Sequence, residues 1–224
     1  MKAKKFLIFD AGPIISLTMN GLLPILEKLK QNFKGEFIIT PQIKEEVIDK
    51  PLKIKKYKFE GIRVTDLIEK GILKMSSEFV SPQSLEKETS KIMKLLNSSF
   101  TSSEKIELIQ KGEASCIAFA NLCNCENVIV VDERTIRMMG EAPENQKKIM
   151  ENKLHARVDI NQGNLKVLKN IKFIRSSELI YIAYKKNLLE WKKDKTTLEA
   201  LLYALKYSGT AISSRDIEAI KSLA

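Results

Sequence analysis

Two aspartates each come directly after a short apolar run of the chain. Asp10 follows KFLIF, and Asp132 follows NVIVV. Short, continuous apolar runs are typical of strands that are buried on both faces. A carboxylate at the end of such a strand loses hydration and gains little packing, so its expected use is to hold a cation or a reacting group. The alternative for Asp10 is that it caps the helix that follows.

Two glutamates extend this acidic set. Glu113 precedes the small, apolar helical segment ASCIAFA, where a charge is unexpected unless it faces a polar pocket. Glu46 lies in the predicted helix QIKEEVID, and Glu45 could replace it, because consecutive helix residues point about 100° apart. The apolar residues Ile43 and Val47 flank Glu46 on a common face, so we select Glu46. Taken singly, each glutamate is more often a solvated helix residue.

Converging carboxylates suit one kind of chemistry. They repel one another and become stable as a group when a divalent cation neutralises them, and ligands that are all oxygen favour Mg²⁺ or Mn²⁺. Such an ion lowers the pKa of a bound water and orients it for attack on a phosphodiester. This reaction requires neither histidine nor cysteine.

The cysteines and the single histidine offer a different metal site. Zinc could bind Cys116, Cys123 and Cys125 together with His155. The spacing Cys-Asn-Cys is not the usual spacing of zinc ligands, so thiols packed on a helix are the favoured interpretation. An odd, clustered set of cysteines also disfavours a disulfide framework and predicts a reducing, cytoplasmic location.

Strands and helices alternate around the acids. KFLIF, EFIIT, NVIVV and IKFIR are predicted strands, with helical patterns between them. This alternation predicts right-handed βαβ units, a central parallel sheet and a three-layer α/β/α fold. Ligands of such folds bind at the carboxyl ends of the strands. Asp10 and Asp132 are therefore both expected at that edge of the sheet.

Local signals predict four further features. The helix QIKEEVID should end before Pro51, and the segment GIRVTDL reads as a short β-like piece. Leucine and isoleucine at helical spacing predict a helix within the serine-rich stretch 76–103. TSSE at residues 101–104 resembles a capping box ahead of the helix that carries Glu113.

Composition and charge restrict the class of protein and of partner. The chain has 224 residues, of which 44% are hydrophobic, enough for one sizeable core. Its formal net charge of +10 favours a polyanionic partner such as nucleic acid, although a solvated, lysine-rich surface gives the same number. The amino terminus does not resemble a secretory signal. No apolar run approaches the ~20 residues of a membrane span, so no membrane partner is expected.

Basic residues near the acids are candidate phosphate contacts. Lysines crowd the segment KPLKIKKYK after the Glu46 helix, and among them we select Lys55 and Lys56. Arg134 and Arg137 follow Asp132 at helical spacing, and the hydroxyl of Ser16 could add a contact. The alternative for the lysines is a solvated loop.

Four motifs taken in order resemble the PIN-domain nucleases. They read FDAGPIISL, TPQIKEEV, KGEASCIAFA and VIVVDERTIR, and the resemblance covers residues 5–141. It implies a PIN-like fold and an acidic catalytic cluster made of Asp10, Glu46, Glu113 and Asp132. For the metal it implies Asp10, Glu113 and Asp132, with Glu133 as a substitute for the last.

The resemblance also implies an activity and partners. It implies a ribonuclease that uses Mg²⁺ or Mn²⁺ to hydrolyse single-stranded RNA, either as a toxin held by an antitoxin or in RNA processing, and a homodimer is possible. The alternative is a non-catalytic PIN-like module that binds RNA or protein. A phosphatase with an aspartate nucleophile is disfavoured, because residue 12 is glycine where the usual Asp-x-Asp requires a second acid.

Domain organisation is predicted in three parts. Residues 1–141 form the PIN-like core, and residues 142–170 form an insertion, either a β-hairpin arm or a lid, that includes the β-like segment HARVDI. Residues 171–224 contribute a fifth strand and C-terminal helices that complete the same domain.

Overall fold

The computed structural model describes residues 5–102, 106–123 and 125–224. Within them, five parallel strands form a central sheet in the order β3-β2-β1-β5-β7. These strands are β1 (Lys5–Phe9), β2 (Glu36–Ile39), β3 (Leu73–Met75), β5 (Glu126–Val130) and β7 (Lys172–Ile174). Two short strands, β4 (Phe100–Thr101) and β6 (Asp159–Ile160), pair antiparallel beside it.

Helices flank the sheet and confirm the predicted α/β class with three layers. Their bounds are α1 (Ala11–Met19), α2 (Leu23–Asn32), α3 (Pro41–Lys44), α4 (Lys50–Lys53), α5 (Lys58–Glu69), α6 (Pro82–Asn97), α7 (Lys111–Leu122), α8 (Arg134–Glu141), α9 (Pro143–Leu154), α10 (Gln162–Leu165), α11 (Ser176–Lys185), α12 (Lys195–Tyr207) and α13 (Ser214–Ser222). The helix predicted in the serine-rich stretch is α6.

The central strand β1 brings the two strand-end aspartates to one edge of the sheet. Its side chains Ile8 and Phe9 are fully buried, as expected for a strand covered on both faces. Phe9 pairs with Val130 of β5, and the backbone amide of Asp10 donates to the Val130 carbonyl at 3.0 Å. The carboxyl ends of the parallel strands therefore lie together, as the sequence predicted.

The segment GIRVTDL is helical and not β-like. It lies inside α5, and its buried residues Gly61, Val64 and Leu67 follow one another at intervals of three, which is a helical period. The β interpretation was wrong because a short run with few apolar residues fits either period. The third strand of the sheet is instead β3, six residues after Leu67.

The helix that carries Glu46 continues through Pro51, against expectation. A π-helical turn, Glu45–Asp49, joins α3 to α4, and Pro51 lies in the first turn of α4. In a regular α-helix, proline clashes with the carbonyl four residues before it. A π-helical turn widens the helix at this point, and such turns are frequent at functional sites.

The segment 142–170 is packed against the core, and the predicted hairpin arm is wrong. Helix α9 begins it, and its strand β6 pairs with β4, which lies outside the segment. Val158 and Leu168 are buried members of the core. The capping box predicted at residues 101–104 ends outside the described residues.

Candidate metal centre at the carboxyl edge of the sheet

A pocket of about 470 Å³ opens at the carboxyl edge of the sheet. Four of the acids considered above line it, each from a different element or loop. They are Asp10, Glu46, Glu113 and Glu133. The structure therefore brings together acids that are far apart in the sequence.

Asp10 is buried in the turn from β1 into α1. It stands at the N-cap position of α1, but its side chain makes no capping hydrogen bond. Burial, with smaller contributions from the charges of Glu46 and Glu133, raises the pKa of Asp10 to about 7, although the nearby amides of Ala11 and Gly12 partly offset this rise. Capping therefore does not account for the carboxylate, which is poised to gain from a cation.

The two carboxylate oxygens of Glu113 differ in their hydrogen bonds. Its Oε2 accepts a hydrogen bond from the Gln110 amide at 2.9 Å, which fixes the side chain at the start of α7. Its Oε1 is buried and has no hydrogen-bond partner among the described residues. Burial, followed by the charges of Asp10, Glu133 and Glu46, raises the pKa of Glu113 to about 8. An unpartnered buried carboxylate oxygen is costly unless a ligand satisfies it.

Glu46, and not Glu45, lines the pocket. Its carboxylate approaches the start of α7 so closely that a Cβ atom at Gly112 would lie 3.0 Å from Glu46 Oε1. Burial raises the pKa of Glu46 above its ordinary value. Glu45 is exposed, and its carboxylate lies 3.6 Å from the ammonium of Lys50.

Asp132 is not among the acids that line the pocket. Its buried carboxylate accepts hydrogen bonds from the hydroxyls of Ser16 and Thr210, both at 2.9 Å, and from the amide and hydroxyl of Ser176, both at 2.8 Å. Three of these donors bond to Oδ2 and one bonds to Oδ1, so most of the accepting capacity of this carboxylate is used inside the protein. Of the ligands expected from the sequence, Asp10, Glu113 and Glu133 line the pocket and Asp132 does not, and metal binding by any of them stays a prediction.

Glu133 faces the pocket in place of Asp132. It is exposed at the N-cap position of α8, with extended backbone dihedrals. Its charge contributes to the raised pKa values of both Asp10 and Glu113. The pair Asp132-Glu133 thus sends one carboxylate inward to the protein and the other into the pocket.

The chain matches a known protein family. Residues 6–145, more than half of the chain, match the family DUF3368, a PIN domain. The chain belongs to the PIN-domain family. No curated protein and no solved structure matches it. PIN domains are nuclease-type modules that generally bind nucleic acid and usually use divalent metals.

The side chains of this PIN domain suit a hard divalent ion. The pocket offers carboxylate oxygens, which are the ligands that Mg²⁺ and Mn²⁺ prefer, and one of these oxygens is buried without a partner. As positioned, however, no three His, Cys, Asp or Glu side chains in the described ranges are close enough to share an ion. The same search gives no support to a zinc site made from the cysteines and His155.

The predicted phosphate contacts of the PIN domain differ in accessibility. Arg134, Lys55 and Lys56 are exposed. Arg137 is half-buried at 3.6 Å from the carboxylate of Glu141. Ser16 is buried and donates to Asp132, so its position does not support a contact with substrate.

The C-terminal segment is joined to the site through Asp132. Ser176 begins α11, and Thr210 precedes α13; both belong to the part of the chain that follows the family match. The amide of Ala211 also donates to the Asp132 carbonyl, at 3.0 Å.

In the described parts of the PIN domain, no helix combines the length and the apolar character needed to span a bilayer.

Proposed function

We propose that this PIN domain is a metal-dependent ribonuclease, which hydrolyses phosphodiester bonds of single-stranded RNA with Mg²⁺ or Mn²⁺. The observation that carries the proposal is the buried, unpartnered Oε1 of Glu113 in a pocket that it shares with Asp10, Glu46 and Glu133. Buried carboxylates that share a pocket are unfavourable for stability unless a cation neutralises them.

The roles of the four acids follow from their surroundings. Asp10 and Glu113 are the most buried, so they are the proposed direct ligands, with Glu133 opposite them on the exposed side. When bound, the ion would activate a water and stabilise the charge that develops on the phosphate. Glu46, whose pKa is raised, is the proposed acceptor of the proton that the attacking water loses. The carboxylates would have to move closer together to complete the ligand set.

Asp132 is proposed as a positioning residue. Its four hydrogen bonds join the end of β5 to α1, to α11 and to the loop before α13. Because Glu133 is its immediate neighbour, this network determines where the Glu133 carboxylate can lie. In this proposal the C-terminal segment supports the site without contacting the metal.

The proposed binding of RNA is supported by the positive charge of the protein. The net charge of +10 and the exposed Arg134, Lys55 and Lys56 suit a polyanion. A role as a toxin held by an antitoxin or in RNA processing, and a homodimer, are the part of the proposal that the family resemblance supplies. The cysteines supply the proposed cytoplasmic location.

The test is cleavage of a labelled single-stranded RNA with Mg²⁺, with Mn²⁺ and with a chelator. We expect cleavage that requires the metal and that falls by orders of magnitude in Glu46→Gln. Glu45→Gln is the matched control, because it removes the same charge from the neighbouring exposed residue and should retain activity. RNA binding without cleavage under any metal condition would instead favour the non-catalytic module.

A further inference from the structure

A second groove, of about 340 Å³, adjoins the acidic pocket. It lies between α1 and the segment formed by α4 and α5. Ile15 and Glu46 line both cavities, so the two are neighbours at this point. A substrate whose phosphate lies in the acidic pocket would place its neighbouring group in this groove.

The walls of the groove are mainly apolar and open to solvent. Ile15, Met19 and Ile54 are 44%, 52% and 47% exposed, although each carries a large apolar side chain. Tyr57 adds an aromatic ring to the same lining. Apolar and aromatic walls of this kind are suited to the flat faces of an unstacked nucleobase.

One polar group in the groove lacks a partner. Oε2 of Glu60 is buried and makes no hydrogen bond within the described part of the chain. An ionised carboxylate only accepts hydrogen bonds, so a complementary ligand must offer N–H or O–H donors, and nucleobases offer N–H donors. Guanine offers two adjacent donors, N1–H and the exocyclic N2 amine, which match the two oxygens of a carboxylate. Adenine and cytosine each place a ring acceptor beside their amine, and uracil flanks its one N–H with carbonyls.

The charges at the rim favour a nucleic acid over an apolar peptide. Lys50 lines the groove, and Lys55 and Lys56 are exposed on the turn between α4 and α5. These cations would neutralise the phosphates on either side of a bound base. We propose that the groove binds a guanine base of single-stranded RNA, next to the phosphodiester cleaved at the acidic pocket. This inference rests on the proposed ribonuclease function.

The test is equilibrium binding without metal, measured by fluorescence anisotropy of labelled hexanucleotides. The probes are hexauridylate and the same oligonucleotide with one internal guanosine or one internal inosine, which lacks the N2 amine. We expect about tenfold tighter binding of the guanosine probe than of hexauridylate, with inosine between them. Glu60→Gln should abolish this difference. Glu69→Gln, on the exposed side of the same helix, should retain it, and thermal melting checks that both variants are folded.

Several outcomes would overturn the guanine site. They are equal affinity for all three probes, a guanosine preference that survives in Glu60→Gln, and a homodimer that Met19→Asp dissociates in a protein without base preference. The last result would assign the groove to a second copy of the chain. Because binding is measured without metal, a guanosine preference in a protein that cleaves no RNA would refute the ribonuclease and leave the guanine site standing.

Discussion

The hydroxyl of Ser16 donates a hydrogen bond to the carboxylate of Asp132 at 2.9 Å, which joins helix α1 to the end of strand β5. Ser176 and Thr210 complete the contacts to the same carboxylate. Asp132 is the acid that the sequence predicts most clearly at the end of β5, and its carboxylate makes its hydrogen bonds in the interior of the protein. Its neighbour Glu133 faces the pocket.

Replacement of Asp132 should affect stability, and replacement of Glu133 should affect activity. Asp132→Ala leaves the buried donors of Ser16, Ser176 and Thr210 without their acceptor, so the free energy of unfolding should fall by about 3 kcal/mol. Glu133→Gln removes an exposed charge and should leave that free energy nearly unchanged while cleavage falls. Urea unfolding and RNA cleavage measure the two effects. A reversed pattern would show that Asp132 is the ligand.

Asp10→Asn separates catalysis from binding. Asparagine caps a helix about as well as aspartate, so a capping role predicts unchanged stability and activity. A ligand role predicts that cleavage falls by orders of magnitude while RNA binding persists or tightens, because a negative charge near the phosphates is removed. The melting temperature of the metal-free protein should also rise, since the charge repulsion and the burial of a charge are relieved. Full metal-dependent cleavage by the variant would refute the role.

The stability of the metal-free protein should fall as the pH rises from about 5 to 8. The folded-state pKa values of Asp10 and Glu113 are raised to about 7 and about 8, from ordinary values of 3.8 and 4.5. The folded state therefore binds more protons than the unfolded state in this range, and it loses that advantage as the pH rises through the raised values. Denaturant unfolding in the presence of a chelator measures the slope.

Mn²⁺ should oppose the loss of stability that accompanies a rise in pH. Protons and the metal compete for the same carboxylates, so the stabilisation by Mn²⁺ should be larger at the alkaline end of that range than at the acid end. The double variant Asp10→Asn, Glu113→Gln should lose most of the pH slope and of the metal effect, and the raised pKa of Glu46 accounts for the slope that remains. Equal stabilisation by Mn²⁺ of the double variant and the natural protein would place the ion elsewhere.

RNA binding should weaken steeply with added salt, as counterion release requires. Lys55→Ala combined with Lys56→Ala should reduce the salt slope by about 1.4 units, since each contact to a phosphate of a single strand contributes about 0.7. The matched control is Lys34→Ala combined with Lys172→Ala, because these exposed lysines lie at the amino-terminal edge of the sheet. Equal slopes for the two double variants would show that the lysines near the groove are not special contacts.

The sequence was sufficient to predict the class of fold and to select most of the acids that line the pocket. The apolar runs KFLIF and NVIVV predict buried strands, and the helical patterns between strands predict a parallel sheet, whose geometry alone brings strand ends to one edge. Asp10 and Glu113 could be singled out because a charge there conflicts with apolar neighbours. Such conflicts are local, so they are visible in the chain itself.

Only the tertiary structure decided which acid of the pair Asp132-Glu133 faces the pocket. The partners of Asp132 are Ser16, Ser176 and Thr210, which lie tens of residues away, and nothing near Asp132 in the sequence indicates them. The same holds for HARVDI, whose strand pairs with β4 and not within its own segment. Periodicity reports which face of an element is apolar, but hydrogen-bond partners depend on which elements fold against each other, and that is set by packing across the whole domain.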